Sequence, residues 1–402
     1  MPNMAPARTR RKTKADSLFS SLSTYSLCEL CFKRNIPRLP ARKKLAGGNG
    51  GGPTRCQLCR GLMTDLDLMV SKIIDASKEF QFQTFLIGAV LPTQIFERED
   101  AMRARFKIRG MESVKGQLTR ELGLRFSRLT GKRVDYMRPD LTASIVVDKD
   151  NLVTVGIRTR PVLFFGKYTK KKRGYDQKCQ RCEGCEGKGC NRCGNSGLDS
   201  LDGTVEGVIT RGLLARTGGM SPRYSWIGSE DRESLVLGDG RPFYARIYNP
   251  MKRKFTKMIR ICSDGICAKL YPIAEGKEPT EIQQRFIVKT RIDIKSERPI
   301  GSLDLKRLEA LAGKEITLEI KGKKMATKKI YQVKANRAMG AGEFDFSLRI
   351  VADGGLAIKQ FVGGEQFSST SISQILGSNC QCSSFDILAV TFLSDKANQT
   401  FA

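Results

Sequence analysis

The chain has 402 residues, 40% of them apolar and 28% charged, which places it among globular proteins with room for more than one core and excludes a disordered chain. Its 70 Lys and Arg against 41 Asp and Glu leave a formal net charge of +29, the electrostatic footprint of a polyanion binder. Histidine is absent. That excludes Ser-His and Cys-His nucleophiles and His-bound metals, and leaves Asp, Glu, Cys, Lys, Tyr or a metal-bound water for any acid, base or nucleophile.

No stretch approaches the ~20 apolar residues of a membrane span. The opening MPNMAPARTRRKTKADS has no apolar core of a secretory leader. No amphipathic anchor or lipidation motif is found, so no membrane partner is expected. The reading is an intracellular, cytoplasmic protein whose 13 cysteines serve as metal ligands or buried thiols rather than disulfides.

In chain order, residues 1–24 read as a basic tail. Residues 25–165 form a first unit. It begins with Cys28-x2-Cys31, then 24 residues rich in Gly and basic side chains, then Cys56-x2-Cys59. Two such pairs can place four thiolates tetrahedrally around zinc. FQFQTFLIGAV (80–90) predicts a strand. MESVKGQLTRELGLRFSRLTG (111–131) predicts a helix, since Met111, Val114, Leu118, Leu122, Phe126 and Leu129 recur every three or four residues and Gly131 supplies a stop. Its polar face carries Lys115, Arg120, Arg125 and Arg128. LTASIVVD (141–148) and LVTVGIRTRPVLFFG (152–166) predict two further strands.

Residues 166–200 read as a basic linker. Lys167, Lys170, Lys171, Lys172 and Arg173 interleave with aromatic residues there, a pattern suited to phosphates and exposed bases. The same stretch holds Cys179-x2-Cys182 and Cys190-x2-Cys193, a second zinc-like quartet. Cys185 is a fifth thiol, and spacing does not say whether it replaces one of the four. Residues 201–402 form a second α+β unit with helices expected at 204–216, 303–312 and 371–376, and with short, often alternating apolar runs at 241–250, 283–292 and 343–351. Glu230-Asp231, in a polar turn, reads on composition alone as surface.

GSEDRESLVLGDGRPFYARIYNP (228–250) resembles the catalytic segment of the Pus-ten type tRNA pseudouridine synthases of archaea and eukaryotes. The matching residues are Gly228, Glu230, Asp231, Leu237, Gly238, Gly240, Arg241, Pro242, Phe243, Asn249 and Pro250. FGKYTKKKRGYDQ, the CxxC…GKGCxxC element, QFQTFLIGAVLP, ESVKGQLTREL and Pro139-Asp140-Leu141 are also similar to that family. AIKQFVGGE (357–365) lies where it has Thr-Tyr-Ile-Lys-Glu-Phe-Val-His-Gly-Asp. The resemblance implies an α+β protein. A four-cysteine zinc and THUMP-containing accessory domain would precede a pseudouridine synthase domain with a mixed, mainly antiparallel sheet.

It further implies isomerisation of uridine to pseudouridine in the TΨC arm of tRNA, at positions 54 and/or 55, by a monomer that uses structural zinc and no organic cofactor. Asp231 takes the role of the catalytic carboxylate, Lys359 that of the cation that keeps it ionised, and Phe286 that of the ring beneath the flipped base. The family's Arg after the motif's first Gly is Ser229 here, with Arg232 or Trp226 available in its place. Glu233 stands for its second acid and Ala357 for its Tyr. Ser229 and Ala357 are what a catalytically silent tRNA-binding protein on the same scaffold would show. A THUMP-linked methyltransferase or thiolase needs a nucleotide-phosphate loop, and neither GxGxxG after a strand nor GxxxxGK[ST] occurs.

Overall fold

The computed structural model describes residues 25–36, 56–274, 285–320, 324–337, 342–364 and 371–393, together with Leu18, Ser21 and Leu22. The basic tail and the Gly-rich stretch between the first two cysteine pairs lie almost wholly outside them. The chain forms two compact units, Met1–Arg160 and Pro161–Ala402.

Among its described residues the first unit holds the helices α1 (Glu29–Arg34), α2 (Leu66–Ser77), α3 (Thr93–Arg105) and α4 (Val114–Thr130). Its four strands are β1 (Thr84–Val90), β2 (Arg133–Val134), β3 (Leu141–Val147) and β4 (Val153–Thr159), and they form one sheet in the order β2-β1-β3-β4. β1 runs parallel to β2 and β3, and β3 antiparallel to β4. Helix α4 forms where the apolar spacing predicts it. Ser113 caps it by accepting from the Gly116 amide, and Gly131 follows its last turn. Val114, Leu118, Leu122 and Phe126 are fully buried against the sheet. Leu129, expected on the same face, is 67% exposed although the helix runs through it to Thr130.

Three helices of this unit are tied together by one buried group. Glu99 on α3 accepts from Arg34 of α1 at 2.7 Å, pairs with Arg103 at 3.1 Å and accepts the Val114 amide at the start of α4. Arg34 also donates to Gln117 of α4 and lies 3.9 Å from the Cys31 sulfur. The first cysteine quartet is thereby joined to the helices by a buried ion cluster.

The second unit is built on a ten-stranded sheet. Its strands are β5 (Val162–Lys170), β6 (Met220–Trp226), β7 (Val236–Tyr248), β8 (Ile259–Ser263), β9 (Ile266–Ile273), β10 (Phe286–Ser296), β11 (Glu315–Ile320), β12 (Lys324–Arg337), β13 (Asp345–Asp353) and β14 (Cys380–Phe392). The order is β11-β12-β13-β10-β14-β7-β5-β9-β8, with β6 on β7. Neighbours run antiparallel except β14 and β7, which meet in parallel at Ile387 and Val236. Helices α5 (Val205–Thr217), α6 (Ser302–Glu309), α7 (Ile358–Gly363) and α8 (Ile372–Leu376) complete it. Two cores form, one around β5, β7, β9 and α5, the other around β10, β12, β13 and the last three helices. β14 is the strand at which the two halves join.

Two expectations are corrected. Residues 166–170, read as the start of a linker, are sheet: VLFFGKYTK alternates strictly enough for β5 to pair along its length with both β7 and β9. Cys262 and Cys267 form a disulfide, against the expectation of thiols only, because the tight β8–β9 hairpin puts them directly opposite each other. No helix among the described residues is long and apolar enough to cross a membrane.

Candidate active site and cysteine centres

A cleft of about 620 Å3 opens in the second unit, in the range of small-molecule sites. Its walls come from the β6–β7 loop, from β10, from the end of β13 and the start of α7, and from β14. Asp231, Lys359 and Phe286, far apart in sequence, all line it, as do Ser229, Arg232, Ala357 and Thr290.

The Lys359 ammonium pairs with the Asp231 carboxylate. Asp231 is 26% and Lys359 61% exposed, so the pair is open to solvent on its cleft side. The hydrogen bond from Lys359 holds the Asp231 carboxyl below the usual carboxylate range, and the same contact raises Lys359. The Phe286 ring stands beside Gly228 and Gly354; a Cβ at Gly354 would fall 2.2 Å from it. It lines the cleft and at the same time packs, half-buried, against the core around β5, β7, β9 and α5.

Glu230 also borders the cleft, but its carboxylate is withdrawn from solvent. It is fully buried, with Oε1 3.4 Å from Lys170 Nζ and Oε2 3.2 Å from Arg241 Nε. The Tyr168 hydroxyl donates to Oε2 at 2.7 Å and is held by Gln177 Nε2 at 3.0 Å. Burial beside that carboxylate pushes the Tyr168 phenol well above its usual value. Arg241 Nη1 also donates to the Ile227 carbonyl at 2.9 Å. Gly228 turns with φ +77°, and a Cβ there would sit 2.4 Å from Arg241 Nη1, so only glycine fits both the turn and the arginine.

The basic segment expected to grip RNA divides in two. Lys171 and Lys172 are exposed, the latter 5.7 Å over the Tyr175 ring, and Lys167 is half-buried. Lys170 is not a phosphate contact: its side chain is fully buried, and desolvation lowers its ammonium. Arg173 reaches inward to Asp386 at 2.8 Å and to the Glu233 carbonyl. On α4, Lys115 and Arg128 are exposed, whereas Arg120 pairs with Glu112 and Glu121, and Arg125 with Asp67. Of the two residues available for the missing motif arginine, Arg232 lines the cleft, its guanidinium 3.8 Å from Asp176. Trp226 is stacked on Tyr224 at 5.1 Å and is not among the cleft residues.

Both cysteine regions gather four sulfurs within 4.8 Å of one another. A tetrahedron of Zn–S bonds near 2.3 Å has edges of about 3.8 Å. The Cys28–Cys59 separation is 3.7 Å, Cys190–Cys193 3.7 Å and Cys185–Cys193 3.9 Å, so both quartets fit zinc. The first is Cys28, Cys31, Cys56 and Cys59, as read from the sequence. The second is Cys182, Cys185, Cys190 and Cys193. Cys179 is excluded from it; its thiol meets the Thr204 hydroxyl at 2.7 Å, its amide meets Glu206, and both partners belong to the start of α5. The Gly189 and Gly197 amides point at the Cys185 and Cys193 sulfurs at 3.2 and 3.3 Å, the hydrogen bonding that thiolates need.

The model described as the archaeal Pus10 THUMP domain matches residues 69–146, and the Pus10 C-terminal model matches residues 163–266. The tRNA pseudouridine synthase Pus10 of Nitrosopumilus maritimus is 32% identical over 91% of this chain and 94% of its own. Its namesake in Cenarchaeum symbiosum is 32% identical over 91% of this chain and 90% of its own, and that of Pyrococcus furiosus 25% identical over 84% of each.

Proposed function

The chain belongs to the Pus10 family of tRNA pseudouridine synthases, and on that premise we propose that it isomerises uridine in the TΨC arm of tRNA, at position 54, 55 or both, with Asp231 as the reacting carboxylate. The observation that carries this reading is the meeting of Asp231, Lys359 and Phe286 in one cleft. The reaction breaks the bond from the sugar carbon C1′ to N1, turns the uracil and forms C1′–C5. The C5 proton is lost and N1 gains one, so no oxidant or co-substrate is consumed. Asp231, kept ionised by Lys359, acts on the sugar, by attack or by removal of a sugar proton. Phe286 offers a face for the flipped base, and Arg232 is the cation placed to meet a phosphate at the cleft.

Exposed Lys115, Arg128, Lys171 and Lys172 supply phosphate contacts, which fix register without reading sequence. Each cysteine quartet would hold zinc with four thiolates, leaving no open position, so the metal braces the fold and takes no part in the reaction. We read the protein as a cytoplasmic monomer whose partner is tRNA.

Mapping pseudouridine in tRNA transcripts treated with the pure protein tests the proposal. Product in the TΨC arm, lost in Asp231→Asn, supports it. A wild type that binds tRNA but makes no pseudouridine would establish the silent binder instead, the reading that Ser229 and Ala357 in the cleft wall favour.

A further inference from the structure

Beneath the Asp231 loop lies a buried cluster with an excess of positive charge. Lys170 and Arg241 face one carboxylate, Glu230, and none of the three side chains is more than 2% exposed. A buried ammonium without full compensation is costly. Here the balance is made up by backbone. Lys170 Nζ donates to the carbonyls of Tyr175 at 2.8 Å, Asp231 at 3.0 Å and Arg232 at 3.3 Å. Two of these three carbonyls belong to the residue that reacts and its neighbour.

We infer that Lys170 is a positioning residue for the reaction: its ammonium, held by Glu230 from below, grips the Asp231 and Arg232 carbonyls and so fixes where the Asp231 carboxylate stands in the cleft. The neighbouring contacts act in the same sense. The Gly174 amide meets the Arg232 carbonyl at 3.0 Å, the Ser234 amide meets that of Asp231 at 3.1 Å, and Arg173 holds the Glu233 carbonyl and Asp386. Asp386 in turn accepts the Leu235 amide at 3.0 Å. Any movement that lifted Asp231 would strip two acceptors from a charge with no access to water. The loop is thus locked from below, while Lys359 orients the carboxylate from the side.

This inference rests on Asp231 as the reacting group, and the test separates the two. Zinc-loaded full-length protein is assayed in single turnover on a tRNA transcript, with enzyme concentration varied. Lys170→Met leaves Glu230 paired to Arg241, so the buried charge is balanced. It should lower the maximal rate about 30- to 100-fold, the cost of misplacing a reacting group by about 1 Å, with the half-saturating enzyme concentration within about twofold of wild type. Lys170→Gln, which keeps N–H donors on a side chain one atom shorter, should recover part of the rate. A folded Lys170→Met with the wild-type rate overturns the inference, as does one that loses tRNA affinity but not rate. If Lys170→Met melts below the assay temperature, Lys170→Gln decides by the same split of rate from affinity. If Asp231→Asn itself keeps the wild-type rate, the active-site reading fails, whatever Lys170 does.

Discussion

The two adjacent carboxylates of the β6–β7 loop meet opposite surroundings. Glu230 is sealed among two cations and a tyrosine hydroxyl, while Asp231, partly open to solvent, pairs with one exposed lysine. The difference shows how one dipeptide divides labour. A carboxylate fully desolvated and doubly paired cannot approach a substrate, so it serves structure. One that is half open and held by a single flexible cation keeps its lone pairs available and its charge intact.

That division is broken first by Asp231→Asn. Single-turnover pseudouridine formation should fall more than about 10^3-fold, as when a reacting group is removed, with tRNA affinity and Tm nearly unchanged. Next in size, Glu230→Gln should do the reverse. It strands Lys170 and Arg241 and should cost about 3–5 kcal/mol of stability, read by denaturant titration, while protein that remains folded still turns over. A Glu230→Gln protein of wild-type stability would show that the buried cluster holds nothing together.

Smaller again is Lys359→Met, expected to lower the rate about 10- to 100-fold at neutral pH through loss of orientation. Its pH profile carries the sign. Asp231 has a depressed pKa, so its ionised form, and the stability of its pair, is complete above the ordinary carboxylate range and lost only as pH falls through the lowered value. Removing Lys359 should move the acid limb up toward the ordinary Asp value near 3.9. A limb that stayed in place would show that something else sets the carboxylate's charge. The smallest effect belongs to the outward lysines. Lys171→Gln with Lys172→Gln should reduce the log–log salt slope of tRNA binding by about 0.7–0.9 per lost contact, leaving the maximal rate unchanged.

Much of this was legible in the sequence, where signals are local. Helix α4 follows from the spacing of Leu118, Leu122 and Phe126, and the first quartet from its paired CxxC motifs. The second quartet was not resolved, because Cys179 and Cys185 differ in where a loop folds, not in spacing. Lys170 looked like its neighbours in a basic run. The signal that singles it out is parity: on β5 it shares a face with Phe164, Gly166 and Tyr168, all buried. What alternation cannot supply is its partners. Glu230 and Arg241 lie some sixty or seventy residues away, and only the sheet brings them under the same loop.

The second cysteine loop is fastened to β6 through its own main-chain carbonyls. Ser221 and Arg223 donate to the Gly187 carbonyl, and the Ser221 amide to that of Asn195. Gly197 packs so closely on Gly187 that a Cβ there would come within 2.5 Å of its carbonyl oxygen. On the loop's side such an attachment reads backbone geometry and not side-chain identity. Glu183, Lys188 and Arg192 are then free to change with little effect on the fold, whereas the four cysteines and Gly197 are not. A library randomised across this loop should return near-complete freedom at the first group and near-fixation at the second, which makes the loop a natural place to graft a tag or probe without disturbing the cleft.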